Sequence, residues 1–89
     1  MQHTYLEVTF RHGRPLAAYY YLPRNPGQKS VRTRRVEPGM VIDYATNEQA
    51  IGIELTAPTQ VSLDQFNSIL RELGQPPITQ RDLAPLRAA

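Results

Sequence analysis

Few residues of this 89-residue chain have the type and spacing to do chemistry. Its two histidines, His3 and His12, stand nine positions apart with Glu7 as the one acid between them. A strand carrying all three is a conceivable metal site, but the spacing fits no established ligand pattern, and surface histidines near a terminus and a turn are the better account. Asp43 and Glu54 are the one carboxylate pair that adjacent strands would bring together. Their expected role is to neutralise Arg32 and Arg34 across strands, because no nucleophile, oxyanion donor or pocket accompanies them. Pro38-Gly39 is a turn, and no glycine-rich phosphate loop exists. With no cysteine, disulfides, thiolate nucleophiles and Cys-based zinc sites are excluded, which is compatible with a reducing cytosol. The expectation is therefore a protein that is not an enzyme, with no catalytic residues, no metal, no cofactor and no small-molecule substrate.

Binding residues are easier to find. The run Arg32-Thr33-Arg34-Arg35, with Arg24 and Lys29 before it and the triplet Tyr19-Tyr20-Tyr21, has the composition of a basic sheet with aromatic platforms for single-stranded nucleic acid. Alternation sends Tyr20 to one face of a strand and Tyr19 and Tyr21 to the other, so one side of the triplet belongs to a core. The formal charge is +2, yet residues 1–36 hold seven basic side chains against one acid, a balance of +6, and residues 37–89 hold three against seven, a balance of −4. Either the two halves neutralise each other in the fold, or the basic half is displayed to an acidic partner.

The elements that must position these residues are short. At this length one domain is expected, and such a domain buries only about two thirds of its unfolded surface, so a homodimer would be useful to it. Residues 5–10 alternate with Leu6, Val8 and Phe10 on one side, the pattern of a half-buried strand. Residues 16–22 read as a second, central strand because both faces carry large side chains. Residues 23–27 form a loop. Three further strands follow at 31–36, 40–44 and 50–55. If Pro38-Gly39 is a two-residue hairpin loop, Arg34 faces Asp43, Arg35 faces Ile42 and Val36 faces Val41. A four-residue turn at 46–49 pairs Tyr44 with Ile51, Ile42 with Ile53, Met40 with Leu55 and Val41 with Glu54. One face of this unit is then Met40, Ile42, Tyr44, Ile51, Ile53 and Leu55, and the other carries Arg32, Arg34, Asp43 and Glu54. Gly52 marks a bulge or a close approach of another backbone.

After Pro58 the period becomes helical. Ser62 with Gln65 has capping-box spacing and Val61 with Phe66 staple spacing, so a helix starts at Leu63. Leu63, Phe66, Ile69, Leu70 and Leu73 form its apolar stripe, with Gly74 as its cap and Pro76-Pro77 beyond. Thr79 with Asp82 starts a second element that Pro85 limits to little more than a turn. No apolar run approaches the roughly 20 residues of a membrane span, and no secretory h-region is visible near Met1, so a cytoplasmic protein without a membrane partner is expected.

The stretch Val36-Glu37-Pro38-Gly39-Met40-Val41-Ile42-Asp43-Tyr44, followed after a turn by Ala50-Ile51-Gly52-Ile53-Glu54-Leu55 and Ala57, resembles the family of small bacterial proteins catalogued as domain of unknown function 2283. Residues 16–22 are similar to that family's preceding strand. The sequence departs from the pattern in lacking the acidic turn before the last strand and in carrying the extension 61–89. The resemblance implies a small β-rich domain with no catalytic residues to transfer. Some relatives are suspected antitoxins of bacterial toxin and antitoxin pairs, which would make the helical extension a partner-binding element.

These readings converge on an α+β fold: a single domain, 1–89, with an antiparallel β-meander of four to five short strands over 1–57 and a helical extension over 61–87. Its C-terminal helix packs on the meander's apolar face. The first functional expectation is a non-enzymatic protein-interaction or regulatory domain that self-associates. Its candidate interface is Ile51, Ile53 and Leu55 on a strand expected at the sheet edge, with Leu83 and Leu86 of the last element. The alternative is a nucleic-acid-binding module using Arg24, Lys29, Arg32, Arg34 and Arg35.

Overall fold

The computed structural model describes residues 3–87. Five antiparallel strands form one sheet: β1 (Tyr5–Arg11), β2 (Arg14–Tyr21), β3 (Arg32–Val36), β4 (Met40–Tyr44) and β5 (Ala50–Leu55). A short 3-10 turn at Pro58–Gln60 leads to α1 (Leu63–Glu72), and α2 (Gln80–Leu83) runs into a final 3-10 turn at Ala84–Arg87. This is the expected α+β class, a sheet with its helices on one face.

The strand order is β1-β2-β5-β4-β3. Strands β3, β4 and β5 form the expected three-stranded meander, but β5 lies in the middle of the sheet and not at its edge. The reason lies in residues 22–31. This connection carries the chain past three inter-strand spacings, about 14 Å, to the far edge, and the meander then returns to pair β5 with β2. The most apolar strand thus acquires neighbours on both sides, where a run such as Ala50–Leu55 is best buried.

The first hairpin turns on His12-Gly13, both with positive φ (52° and 76°), as the favoured two-residue hairpin turn requires. The second does not close on Pro38-Gly39 alone. Val36 pairs with Met40, so the loop has three residues, with Gly39 at φ 61°. An ordinary turn at Pro-Gly twists against the strands, and the extra residue with a left-handed glycine relieves the mismatch. The register is therefore one residue away from the two-residue expectation: Arg34 faces Ile42, Arg35 faces Val41, and Asp43 faces Thr33. In β4 and β5 the expected pairs of Met40 with Leu55, Val41 with Glu54 and Ile42 with Ile53 are present, whereas Tyr44 pairs with Ala50 across a bulge at Ile51.

Met40, Ile42, Ile51, Ile53 and Leu55 are all 0–1% exposed, and Tyr44 is buried with them. Leu22 and Tyr20 from the β1–β2 side join the core, and α1 closes it with Phe66, Ile69 and Leu70. Tyr20 meets Phe66 edge to face at 5.2 Å. Ser62 and Gln65 form the anticipated capping box. At the other end Gly74 (φ 74°) allows the Gln75 amide to donate to the Leu70 carbonyl and the Gly74 amide to that of Arg71, the double bond of a Schellman cap. Asn67 holds α1 to the next segment, its amide donating to the Ile78 carbonyl (3.0 Å) while its carbonyl accepts from the Ile78 amide (2.9 Å). Thr79 and Asp82 cap α2, whose Leu83, with Leu86 of the final turn, completes the core.

Candidate functional site

The helical layer covers one face of the sheet, and the buried side chains of α1 and α2 all belong to the core on that side. The registers set out the other face. One row runs Tyr5, Tyr21, Gly52, Asp43, Thr33, and the next Glu7, Tyr19, Glu54, Val41, Arg35. Alternation along β1 and β2 brings three tyrosines to this open face. Tyr5 stacks on Tyr21 with centroids 4.3 Å apart and planes 17° from parallel, and Tyr21 meets Tyr19 edge-on at 4.7 Å. The Arg24 guanidinium lies 5.5 Å from the Tyr21 centroid, and its Nη2 donates to the Ile51 carbonyl at 2.9 Å.

Each of the two inner rings is tied to an acid. Tyr19 Oη donates to Asp43 Oδ2 at 2.7 Å and Tyr21 Oη to Glu7 Oε1 at 3.0 Å. The Tyr19 ring reaches Asp43 by crossing Gly52: a Cβ there would stand 1.9 Å from Tyr19 Oη. Gly52 thus admits the close approach of a side chain, next to the bulge at Ile51. Burial, and then the bond to Asp43, push the Tyr19 phenol well above its ordinary pKa. The bond to Glu7, with a smaller contribution from burial, raises that of Tyr21. Both phenols are donors at neutral pH, and neither is poised to act as a base.

The residues singled out in the sequence are dispersed. Because of the register, Arg32 and Arg34 face the helical side of the sheet and not the side of Asp43 and Glu54. Arg32 lies over the Tyr44 ring at 4.2 Å and pairs with Glu48 at 2.6 Å. Arg34 donates to Tyr44 Oη at 3.1 Å and pairs with Glu72 of α1. The bond to Tyr44, and then Glu72, hold the Arg34 guanidinium more firmly protonated than usual. Arg24 is folded over Tyr21 and Arg35 stands in the row of Tyr19, so these two share the open face with the tyrosines, while Lys29 lies in the 22–31 connection. The cross-strand pairing of Arg32 and Arg34 with Asp43 and Glu54 does not form. Both ion pairs instead join the basic first part of the chain to the acidic second part.

The five apolar residues expected at an interface are core. Ile51 is 1% exposed, and Ile53, Leu55, Leu83 and Leu86 are wholly buried within the one chain, the first three because β5 is central. His3 and His12 stand at opposite ends of β1, whose seven residues alone span about 20 Å. Among the described residues no group of three or more His, Asp or Glu side chains could hold a metal ion. A depression of about 560 Å³ is an open cleft whose lining, including Lys29, Val31 and Asn47, has no acid or imidazole.

A scan against protein-family models, a search of curated proteins and a search of solved structures each return no match to this chain. Two members of the open-face array were not anticipated, Tyr5 and Arg24 as ring partners. A two-residue turn at His12-Gly13 alone would set Tyr5 opposite Tyr20; the irregularity between Thr9 and Phe10 shifts the register by one and pairs Tyr5 with Tyr21, a step that the local sequence pattern does not signal.

Proposed function

We propose that this protein is a non-enzymatic interaction domain that binds a basic protein segment across the open face of its sheet. The observation that carries this is the ordered array of Tyr5, Tyr21 and Tyr19 on a face that no helix of the described residues covers. Rings held by stacking and by bonds to acids are already fixed, so a partner loses little side-chain entropy against them, and tyrosine is enriched where interfaces concentrate their binding energy. The face carries Arg24 and Arg35 as well as acids, and the acids beside the exposed ring of Tyr5 are what select the partner. Glu7, Asp43 and Glu54 stand among the rings, so an arginine can lie over Tyr5, which is 44% exposed, while pairing with Glu7 or Glu54. A phosphate backbone would meet those same carboxylates. The similarity of residues 36–55 to the domain of unknown function 2283 family adds the expectation of a small domain without catalytic machinery. The apolar stripe of α1 and α2 is occupied by the protein's own core, so a partner reaches the sheet and not that stripe.

The test is a titration of the full chain with an acetylated, amidated Arg-Leu-Arg-Leu-Arg peptide, followed by tyrosine fluorescence. Saturable binding that Tyr5→Ala weakens by about two- to fivefold, roughly the effect of losing one exposed aromatic contact, is the expected result. Indifference of the affinity to Tyr5→Ala and to Glu7→Gln would count against the reading. Tight binding of a single-stranded oligonucleotide that fades steeply with salt would instead favour the nucleic-acid alternative through Arg24, Lys29, Arg32, Arg34 and Arg35.

A further inference from the structure

The sheet has two free edges, and they are built differently. Strand β3 carries Arg32, Arg34 and Arg35 in five residues, and any two-fold antiparallel pairing of two β3 strands about their middle sets arginine against or beside arginine. Such an edge resists addition of another strand. Strand β1 has none of these protections. It is seven residues long, contains no proline or lysine, carries its one arginine at its last position, and places the irregularity of its pairing at Leu16 on the β2 side, between Thr9 and Phe10. A long unprotected edge is a template for another strand.

We propose that β1 pairs with β1 of a second copy of this chain, antiparallel about a two-fold axis at Val8, to make one ten-stranded sheet. In that register Val8 meets Val8 of the second copy, Leu6 meets its Phe10, Glu7 its Thr9, and Tyr5 its Arg11. All seven residues of β1 are used. The helix-side row is apolar throughout, and it covers Phe10, which is 49% exposed in the single chain and lies beyond the helical layer's core. On the open side the Arg11 guanidinium, which has no acid partner within the described residues, gains a tyrosine ring and the diagonal Glu7. Centring on Glu7 instead would set two carboxylates face to face, and centring on Thr9 would leave Tyr5 opposite the turn. The two-fold axis stands perpendicular to the sheet, so both tyrosine arrays lie on one side and both helical layers on the other. The partner is thus a second copy, recognised by main-chain bonds and by this pattern of side chains.

Sedimentation equilibrium of the full chain from micromolar to millimolar concentration tests this with two variants at Thr9, an exposed position outside the core. Thr9→Glu brings carboxylates against Glu7 of the second copy twice by symmetry and raises the dimer dissociation constant about tenfold; Thr9→Lys lowers it by a similar factor. Circular dichroism of Thr9→Glu matching that of the parent shows that the fold is kept. A wild-type chain that stays monomeric at every concentration overturns the proposal. So does weakening by both variants, which would place the axis at Thr9, or indifference to both. Peptide binding is read separately, by fluorescence at concentrations where the chain is monomeric, because in the dimer Arg11 of the second copy takes the Tyr5 ring and the Glu7 carboxylate that the peptide's arginine would use.

Discussion

Tyr19 concentrates more of the open face's physics than any other residue. Its ring stands against Gly52, its edge against Tyr21, and its hydroxyl on the Asp43 carboxylate. Tyr19→Phe removes a hydrogen bond to a charged, half-buried acceptor and is expected to lower stability by about 1.5–3 kcal/mol, read by urea unfolding. The pH dependence follows from the raised phenol pKa values. Above the ordinary tyrosine value of 10.0, the unfolded chain releases the protons that folded Tyr19 and Tyr21 retain, so stability is complete below that pH and falls as pH rises through it. Tyr19→Phe should flatten the alkaline loss, leaving the smaller contribution of Tyr21. Gly52→Ala puts a methyl where Tyr19 Oη lies, so the ring must swing away and abandon Asp43. A loss of about 1–3 kcal/mol is expected in the parent and close to none in a Tyr19→Ala background, a double-mutant cycle that isolates the contact. At this scale the sequence was only partly legible. The glycine between two isoleucines signalled a close approach, but the side chain that approaches it lies 33 positions earlier and is brought there by the strand order.

The elements were more readable than their arrangement. Strands β4 and β5 and the start of α1 fall where alternation, the capping box and the staple place them, because each depends on neighbours within a few residues. Arg32 and Arg34 were assigned to the wrong face, since one additional loop residue at Glu37 reverses every side chain of β3 relative to β4. The place of β5 depended on where residues 22–31 carry the chain, which local pattern does not encode. The helical layer depends on one clamp that the sequence did not advertise, the Asn67 side chain on both backbone groups of Ile78. Asn67→Ala leaves those groups without partners at a half-buried position. It is expected to cost about 2–3 kcal/mol and to raise amide exchange first in the segment leading to Leu83. Ser62→Ala, which removes half of the capping box, should cost about 1 kcal/mol by the same denaturant measurement.

At the scale of the molecule, the opposition of a basic first part and an acidic second part is used internally, among the described residues, in two places, Arg32 with Glu48 and Arg34 with Glu72. Both pairs are partly exposed. Glu72→Gln should therefore change stability by less than about 1 kcal/mol, and thermal melts in low and high salt should nearly coincide. What holds the fold is the apolar layer between sheet and helices, and what that layer leaves uncovered is the tyrosine face. The most direct test of that assignment is nuclear magnetic resonance of the isotope-labelled chain titrated with the Arg-Leu-Arg-Leu-Arg peptide. The account predicts that amide shifts gather at Tyr5, Glu7, Tyr19, Tyr21 and Glu54, with α1, Arg32 and Arg34 unmoved. Shifts gathered on Arg32, Arg34 and α1, with the tyrosine face silent, would contradict it.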